Sequence, residues 1–252
     1  MIHVFTQNIN GDTVTVTGED FNHLRNVLRV KIDDEILVSD GSGSDYIAAI
    51  TDIGAAEITA AIVGSGEPRE LPVGITLYQA LPKGDKMETI IQKCVELGAA
   101  RIVPMETSRC VVKLDPKGRA KKVERWQKIA QSASEQCQRS RIPDIAPVMS
   151  WAQALEDAGG GQKPQNRVRN VIAYEEEMGA EGLKTLLTDA RERKIDEIRV
   201  FVGPEGGFAQ KEVDQAMNSG VQPISLGRRI LRTETAGMAL VAAVMLEVEA
   251  GI

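Results

Sequence analysis

The residues best suited to chemistry lie close together near the C-terminus, in Leu226-Gly227-Arg228-Arg229-Ile230-Leu231-Arg232-Thr233-Glu234-Thr235-Ala236. A glycine follows a short apolar run, three arginines follow the glycine, and Thr233-Glu234 offers a cap and an acid to the first turn of a long apolar helix. Such a stretch reads as a ligand loop. Some twenty residues earlier, Val200-Phe201-Val202 runs into Gly203-Pro204-Glu205-Gly206-Gly207-Phe208, a strand-like run broken by a turn. The turn alone is more often structural than ligand-binding. Two such loops on successive strand ends are another matter, because small ligands of open α/β sheets bind at the carboxyl ends of strands.

The elements that must position these loops are legible from periodicity. Val73 to Leu81 is an apolar strand, followed by a helix with Met87, Ile90, Ile91, Cys94 and Val95 on one stripe and Gly98 at its end, then a strand from Arg101 to Met105. Similar units recur: strands at Asn170–Tyr174, Ile198–Gly203 and Pro223–Leu226 alternate with helices at Gly182–Arg191 and Gln210–Asn218. This alternation predicts an α/β domain with a parallel sheet. The loop 159–166 is glycine-rich and reads as flexible. A helix over Arg119–Arg139 places Val123, Trp126, Ile129, Ala130, Ala133 and Cys137 on one face, with Lys121, Arg125, Lys128 and Arg139 opposite. The last helix, Glu234 to Glu249, is apolar almost all round and must be covered on more than one side.

Upstream the pattern differs. Thr13–Thr17, Glu35–Ser39, Tyr46–Ile50 and Glu57–Val63 are short strands, with a hairpin connection at Asp40–Ser44. One helix is expected from Glu19 to Leu28, capped by Asp20 and burying Phe21, Leu24 and Leu28. The spacing suits a small barrel or sandwich. Gly64–Pro72 mixes glycine, proline and charge and reads as the linker, giving domains at 1–68 and 73–252.

The net charge is −6, but its distribution is uneven. Residues 1–72 hold four basic and twelve acidic groups, whereas residues 109–141 hold ten basic and three acidic ones. A local basic patch attracts phosphate even on an acidic chain, although a charged outer face can equally be plain solvation. No apolar run approaches membrane-spanning length, and the N-terminus has no basic, apolar leader pattern, so a cytoplasmic protein is expected. Cys94, Cys110 and Cys137 are odd in number and far apart, and the two histidines lack ligand spacing, which argues against a disulfide framework and a metal site. There is no phosphate-loop motif, no nucleophile elbow and no dinucleotide fingerprint after the first strand.

The two loops together, with Lys83-Gly84-Asp85-Lys86-Met87, Gln92–Gly98, Ser134–Arg139 and His23–Arg29 in order along the chain, resemble the RsmE family of the SPOUT methyltransferases. The resemblance implies a PUA-like RNA-binding β-barrel, then a SPOUT α/β domain with a C-terminal trefoil knot. It implies a cytoplasmic homodimer packed through the last helix, and S-adenosylmethionine-dependent methylation of N3 of one uridine, uridine 1498 in the family, in 16S ribosomal RNA of the small subunit. A transfer-RNA nucleotide, another ribosomal base, or a non-catalytic assembly factor are the alternatives. Leu81, Gly203, Pro204, Glu205, Gly206, Gly207, Leu226, Gly227, Ile230, Leu231, Arg232, Thr235 and Ala236 are then expected around the cofactor. Arg232 is the candidate cation for the uracil anion, and Glu234 or Glu205 the candidate proton acceptor, unless Glu234 only caps its helix and Glu205 only fixes its turn. Arg25, Arg29, Arg109, Lys121, Arg125, Lys128, Arg139 and Arg141 are the candidate RNA contacts. Asp33-Asp34 stands where the family commonly has a glycine, and puts acid beside the contact expected of Arg25 and Arg29.

Overall fold

The computed structural model describes residues 1–67, 69–159, 167–174, 181–192 and 194–249. The chain forms two compact units, Met1–Glu70 with Ser134–Ile142, and Leu71–Ala133 with Pro143–Ile252. Beyond Gly159, the expected glycine-rich loop at 159–166 lies outside the described residues, as does Pro68 of the expected linker.

In the first unit six strands, β1 (Ile2–Phe5), β2 (Ile9–Asn10), β3 (Thr13–Thr17), β4 (Glu35–Ser39), β5 (Asp45–Ile53) and β6 (Glu57–Ser65), form one sheet in the order β1-β4-β5-β6-β3-β2. All pairs are antiparallel except β1 with β4. Alternation decides what points inward: in Thr13-Val14-Thr15-Val16-Thr17 both valines are buried, and Ile36, Val38, Ile50 and Ile58 meet them. Two register shifts between β5 and β6 are irregularities of the kind that curl a sheet around its contents.

Three expectations change here. The linker starts later, because β6 continues through Gly64 and Ser65, which pair with Ile47 and Tyr46. The helix is split: α1 (Gly18–Asn22) passes into a π-helical turn, His23–Leu28, that ends at Arg29 with φ 54°. Its wider winding keeps Phe21 and Leu24 in the core but turns Leu28 out to 42% exposure. Thr17, not Asp20, holds the N-cap position. Arg25 and Arg29 are consequently not neighbours on an α-helix. Asp33 adopts φ 71°, the left-handed conformation that favours glycine.

The second unit is a parallel sheet in the order β10-β8-β7-β12-β11-β13, with β9 also paired to β8. Its strands are β7 (Gly74–Ala80), β8 (Arg101–Glu106), β9 (Asp144–Ile145), β10 (Met149–Ser150), β11 (Val168–Ala173), β12 (Glu197–Val202) and β13 (Gln222–Ile224). The central β7 and β12 are apolar runs because both faces are covered. Around them lie α2 (Lys86–Glu96), α3 (Pro116–Cys137), α4 (Trp151–Asp157), α5 (Glu181–Arg191), α6 (Gln210–Asn218) and α7 (Thr233–Glu249).

The α2 stripe is buried as its spacing predicts, and Gly98 follows the helix with φ 99°. Burial pushes the Cys94 thiol up to about 12. On α3, Trp126, Ala130 and Ala133 are buried while Lys121, Arg125 and Lys128 face solvent. In the core Tyr78 stacks on Phe201 at 4.4 Å, and its hydroxyl donates to Asp157 at 2.6 Å. No described helix is long and apolar enough to cross a membrane.

Candidate active site

Because the sheet is parallel, the carboxyl ends of β11, β12 and β13 share one edge, and there a cavity of about 420 Å³ opens. That volume is in the range of small-molecule sites. Of the residues the sequence assigns to it, Gly203, Pro204, Glu205, Gly207, Leu226, Gly227, Ile230, Leu231, Arg232 and Ala236 line the cavity. Three others do not. Leu81 is a core residue at 2% exposure, Thr235 points outward from the first turn of α7, and the carbonyl of Gly206 is taken by Arg109 at 2.8 Å.

Local backbone chemistry explains the shape of both loops. The N–H of Gly207 donates to Pro204 O at 2.9 Å, and Gly207 has φ 66°, as the turn requires. A Cβ on Gly203 would stand 3.2 Å from Gly207 C and from the Phe208 ring, so glycine allows that close approach. In the second loop β13 ends two residues before the expected Leu226, which frees Ser225 and Leu226 to line the cavity. Gly227 has φ 108° and its N–H donates to Ser225 Oγ at 3.3 Å.

One hydroxyl joins the loops. Thr233 Oγ1 donates to Gly203 O at 2.6 Å and accepts from Gln79 Nε2 at 2.9 Å. The expectation that Thr233 caps α7 is therefore corrected: its side chain ties the start of α7 to the turn after β12 and to buried Gln79 of β7. Beneath the cavity, Phe208 leans on Trp151, whose indole N–H donates to Gln215 Oε1 at 3.0 Å.

The charged groups sort into two sets. Arg228, Arg229 and Arg232 are exposed at the cavity, and none of them forms an ion pair among the described residues. Opposite in character are two acids joined by a lysine. Lys86 Nζ lies 2.9 Å from Glu205 Oε1 and 3.4 Å from Glu234 Oε2, and Glu205 Oε1 also accepts the Lys83 N–H at 3.1 Å. Burial raises the Glu205 carboxyl, but the hydrogen bonds of Lys86 and the Lys83 N–H outweigh it and hold the group below its ordinary value.

Sequence reasoning missed Lys86 as a site residue, along with Ala173, Tyr174, Val202, Phe208 and Ser225 of the cavity wall. The strand-end rule could have found Ala173 and Tyr174, the last residue of β11 and the one after it, as Val202 and Gly203 are for β12. Lys86 opens the helix after β7, so the same rule reaches it one strand further along.

The candidate RNA contacts are distributed as follows. Lys121 and Lys128 are exposed on α3, and Arg125 shares that face while donating to Glu88 at 2.7 Å. Arg109 braces Gly206. In the first unit Arg25 is occupied by Gly54 O at 2.9 Å and lies over the Phe21 ring, Arg29 is exposed, and Arg141 is exposed beside Gly43. Arg139 is corrected. Helix α3 stops at Cys137, Gln138 has φ 59°, and the Arg139 guanidinium is buried at 5% exposure in a fork to Glu70 at 2.5 and 3.2 Å. Among the described residues no group of three His, Cys, Asp or Glu could hold a metal ion.

Comparison with known proteins gives the arrangement its lineage. The family model for an RNA methyltransferase domain matches residues 69–245, and that for an RNA methyltransferase PUA domain matches residues 16–63. A Bacillus subtilis protein named ribosomal RNA small subunit methyltransferase E is 35% identical over 240 residues, covering 94% of this chain and 91% of its own. The Neisseria gonorrhoeae protein of that name, solved bound to S-adenosyl methionine, superimposes with a TM-score of 0.82 at 33% identity over 96% of both chains. A methyltransferase structure from Legionella pneumophila, in complex with the same cofactor, gives 0.79 at 29% identity over 96% of both. Matching in both units, the chain belongs to the RNA methyltransferase family whose members are named ribosomal RNA small subunit methyltransferase E.

Proposed function

We propose that the protein transfers a methyl group from S-adenosylmethionine to N3 of one uridine of 16S ribosomal RNA, uridine 1498 in the family, within the small ribosomal subunit. The observation that carries this is the cavity itself. Two glycine-shaped loops meet at the strand ends, with exposed arginines at one and a lysine bridging two acids nearby.

The residues present fit the cofactor. Gly203 lets Gly207 and Phe208 close in to shape the first loop, Gly227 leaves open space beside the second, and Leu226, Leu231, Phe208 and Ala236 supply apolar walls. When bound, S-adenosylmethionine supplies an electrophilic methyl group on a sulfonium. The chain's own work is to orient and to move a proton. Uracil N3 is a poor nucleophile until its proton leaves, and Arg232 is the cation that stabilises the negative charge then spread over O2 and O4. Glu205, which lines the cavity and is held as an ion by Lys86, and Glu234, paired with the same lysine, are the candidate proton acceptors. Alignment at the loops provides much of the acceleration.

The same reading assigns residues 1–68 to RNA binding and 73–252 to methyl transfer, with Arg29, Lys121, Arg125, Lys128 and Arg141 meeting phosphates. Thr235, Ala239 and Leu246 are exposed along α7 with Met238, Ala242 and Met245 half-buried beside them, a stripe that supports a homodimer. A trefoil crossing and a cytoplasmic location belong to the proposal. Support for the crossing is that β13 lies at the sheet edge while α7 returns against β7 and β12.

The decisive experiment incubates the protein with labelled S-adenosylmethionine and small subunits from a strain lacking the endogenous enzyme, then maps the modified nucleoside. 3-Methyluridine at a single position is the expected result. Label at a different base overturns the substrate, and absence of cofactor binding overturns the activity.

A further inference from the structure

We propose that Arg109 is a positioning residue that couples RNA to the cofactor loop: one nitrogen of its guanidinium holds the turn after β12, and the open edge takes a backbone phosphate of the RNA strand that delivers the target base. The inference rests on the methyl-transfer reading, and goes beyond it by tying substrate affinity to cofactor affinity through one side chain.

The inner contact is built. Arg109 donates to Gly206 O at 2.8 Å. Its aliphatic stem lies along the same glycine, since a Cβ on Gly206 would stand 3.4 Å from Arg109 Cβ and 3.6 Å from its Cδ. Gly206 does not line the cavity, but Glu205 and Gly207 on either side of it do. The carbonyl belongs to a planar peptide, so holding it also aims the Gly207 N–H, which closes the turn on Pro204 O at 2.9 Å.

The backbone on both sides of this contact is pinned. Arg109 stands in a tight turn between β8 and α3, where the Cys110 N–H donates to Thr107 O at 3.2 Å and both Thr107 and Cys110 are buried. The adjacent Ser108 N–H donates to Glu212 Oε1 at 2.7 Å, and the other oxygen of buried Glu212 accepts the Ala209 N–H at 2.9 Å. One carboxylate thus anchors both the loop that bears Arg109 and the start of α6. The guanidinium is the movable part.

Its outer edge is open. Arg109 is exposed, and Gly206 O is the one hydrogen-bond partner of its guanidinium among the described residues. The remaining N–H donors form a planar fork that fits a phosphate. A nucleotide entering the cavity brings its own phosphates to the rim, and Arg109 braces a turn that supplies part of the wall. It also opens the basic stretch 109–141. Holding a carbonyl with an exposed arginine costs the rotamer freedom of a long side chain. A phosphate that orders the guanidinium removes that cost, and the cofactor then meets a turn already set. The effect is reciprocal, because the factor by which RNA tightens cofactor binding is the factor by which cofactor tightens RNA binding.

The test uses the full-length protein, small subunits from a strain lacking the endogenous enzyme, and S-adenosylhomocysteine, which has no methyl group to transfer. Sedimentation at fixed salt gives the Kd for subunits with and without saturating S-adenosylhomocysteine, and the ratio is the coupling. In wild type S-adenosylhomocysteine tightens subunit binding by about 5- to 10-fold. Arg109→Met brings the coupling to within about twofold of unity. Arg109→Lys does the same while losing less subunit affinity, because it keeps the charge but has a single nitrogen for both partners. A brace alone gives a different pattern, in which Arg109→Met weakens S-adenosylhomocysteine equally on and off the subunit. A phosphate contact alone weakens subunit binding equally with and without S-adenosylhomocysteine. Either pattern leaves the coupling intact and overturns the proposal, as does a wild-type coupling of unity or of opposite sign. Wild-type protein that neither binds S-adenosylhomocysteine nor methylates subunits defeats the functional reading and the proposal with it. Methylation by wild type with an unaltered coupling in Arg109→Met defeats the proposal only.

Discussion

Each unit contains a cluster of ionisable and hydroxyl side chains, and the two clusters differ in what they leave unspent. In the first unit His3 Nε2 lies 2.7 Å from Ser39 Oγ, Ser39 donates to Asp45 Oδ1 at 2.5 Å, Ser140 donates to the other Asp45 oxygen, and His3 Nδ1 faces Glu135 O at 3.3 Å. Histidine, serine and aspartate are the vocabulary of nucleophilic catalysis, yet all three are buried and their polar atoms are occupied by one another. In the second unit Lys86 and Glu205 are partly exposed and line the cavity, and Glu234, which shares their lysine, leaves one buried oxygen without a hydrogen bond among the described residues. Residue type names the chemistry a group could do. Access and unspent hydrogen-bonding capacity decide whether it does it.

The largest expected effect comes from the cavity that the open cluster adjoins, at its arginine Arg232. Arg232→Ala lowers turnover by about two to three orders of magnitude, the size of losing a preorganised charge stabiliser, with cofactor affinity changed far less. Single-turnover rates beside calorimetric binding check this, and equal damage to both assigns Arg232 to binding. The closed cluster answers in stability instead. Asp45→Ala strands His3, Ser39 and Ser140 without their shared acceptor and costs about 2–3 kcal/mol in urea unfolding. A cost under half a kcal/mol, within the range of an ordinary surface substitution, would mean that the network is not a structural anchor.

Smaller effects sharpen the contrast at the surface and with pH. Lys121→Ala and Lys128→Ala together reduce the slope of log binding constant against log salt for small subunits by about 1 to 2, one phosphate contact each at most. An unchanged slope assigns that face of α3 to solvation. The smallest effect concerns His3, whose imidazole is held below its ordinary value by burial, against the raising influence of the Glu135 carbonyl and of Asp45 and with a small lowering contribution from Arg69. A depressed folded-state pKa means that the unfolded chain binds the extra proton first. The stability His3 contributes is thus complete above about pH 6.5 and declines as pH falls through the lower folded value. His3→Asn flattens the unfolding midpoint over that window, and a slope identical to wild type counts against the burial argument.

The parallel sheet and the two ligand loops were legible because both rest on short-range signals. Apolar runs mark doubly covered strands, stripes mark helix faces, and glycine marks positions where the backbone must turn or be approached. The bounds of α6 were read without error for that reason. What could not be read depends on partners distant in sequence. Arg139 continues the basic stripe of α3 on a helical wheel, but Glu70, nearly seventy residues away, claims its guanidinium. The π-helical turn at His23–Leu28 obeys the core it closes over rather than any local preference for it. Lys86 matters through Glu205 and Glu234, each more than a hundred residues further along. Thr233 carries the sequence signature of a cap and is used elsewhere because Gly203 and Gln79 reach it first.

That threonine has a consequence for anyone wishing to rebuild the enzyme. Its one hydroxyl is a shared fastener for the end of β7's buried glutamine, the turn after β12 and the head of α7, so these pieces are not interchangeable parts. A loop of altered specificity grafted at 203–208 alone, or at 226–232 alone, inherits half a joint. Transplants into related scaffolds have to carry Gln79, Gly203 and Thr233 together, and libraries that randomise either loop gain most by leaving those three letters untouched.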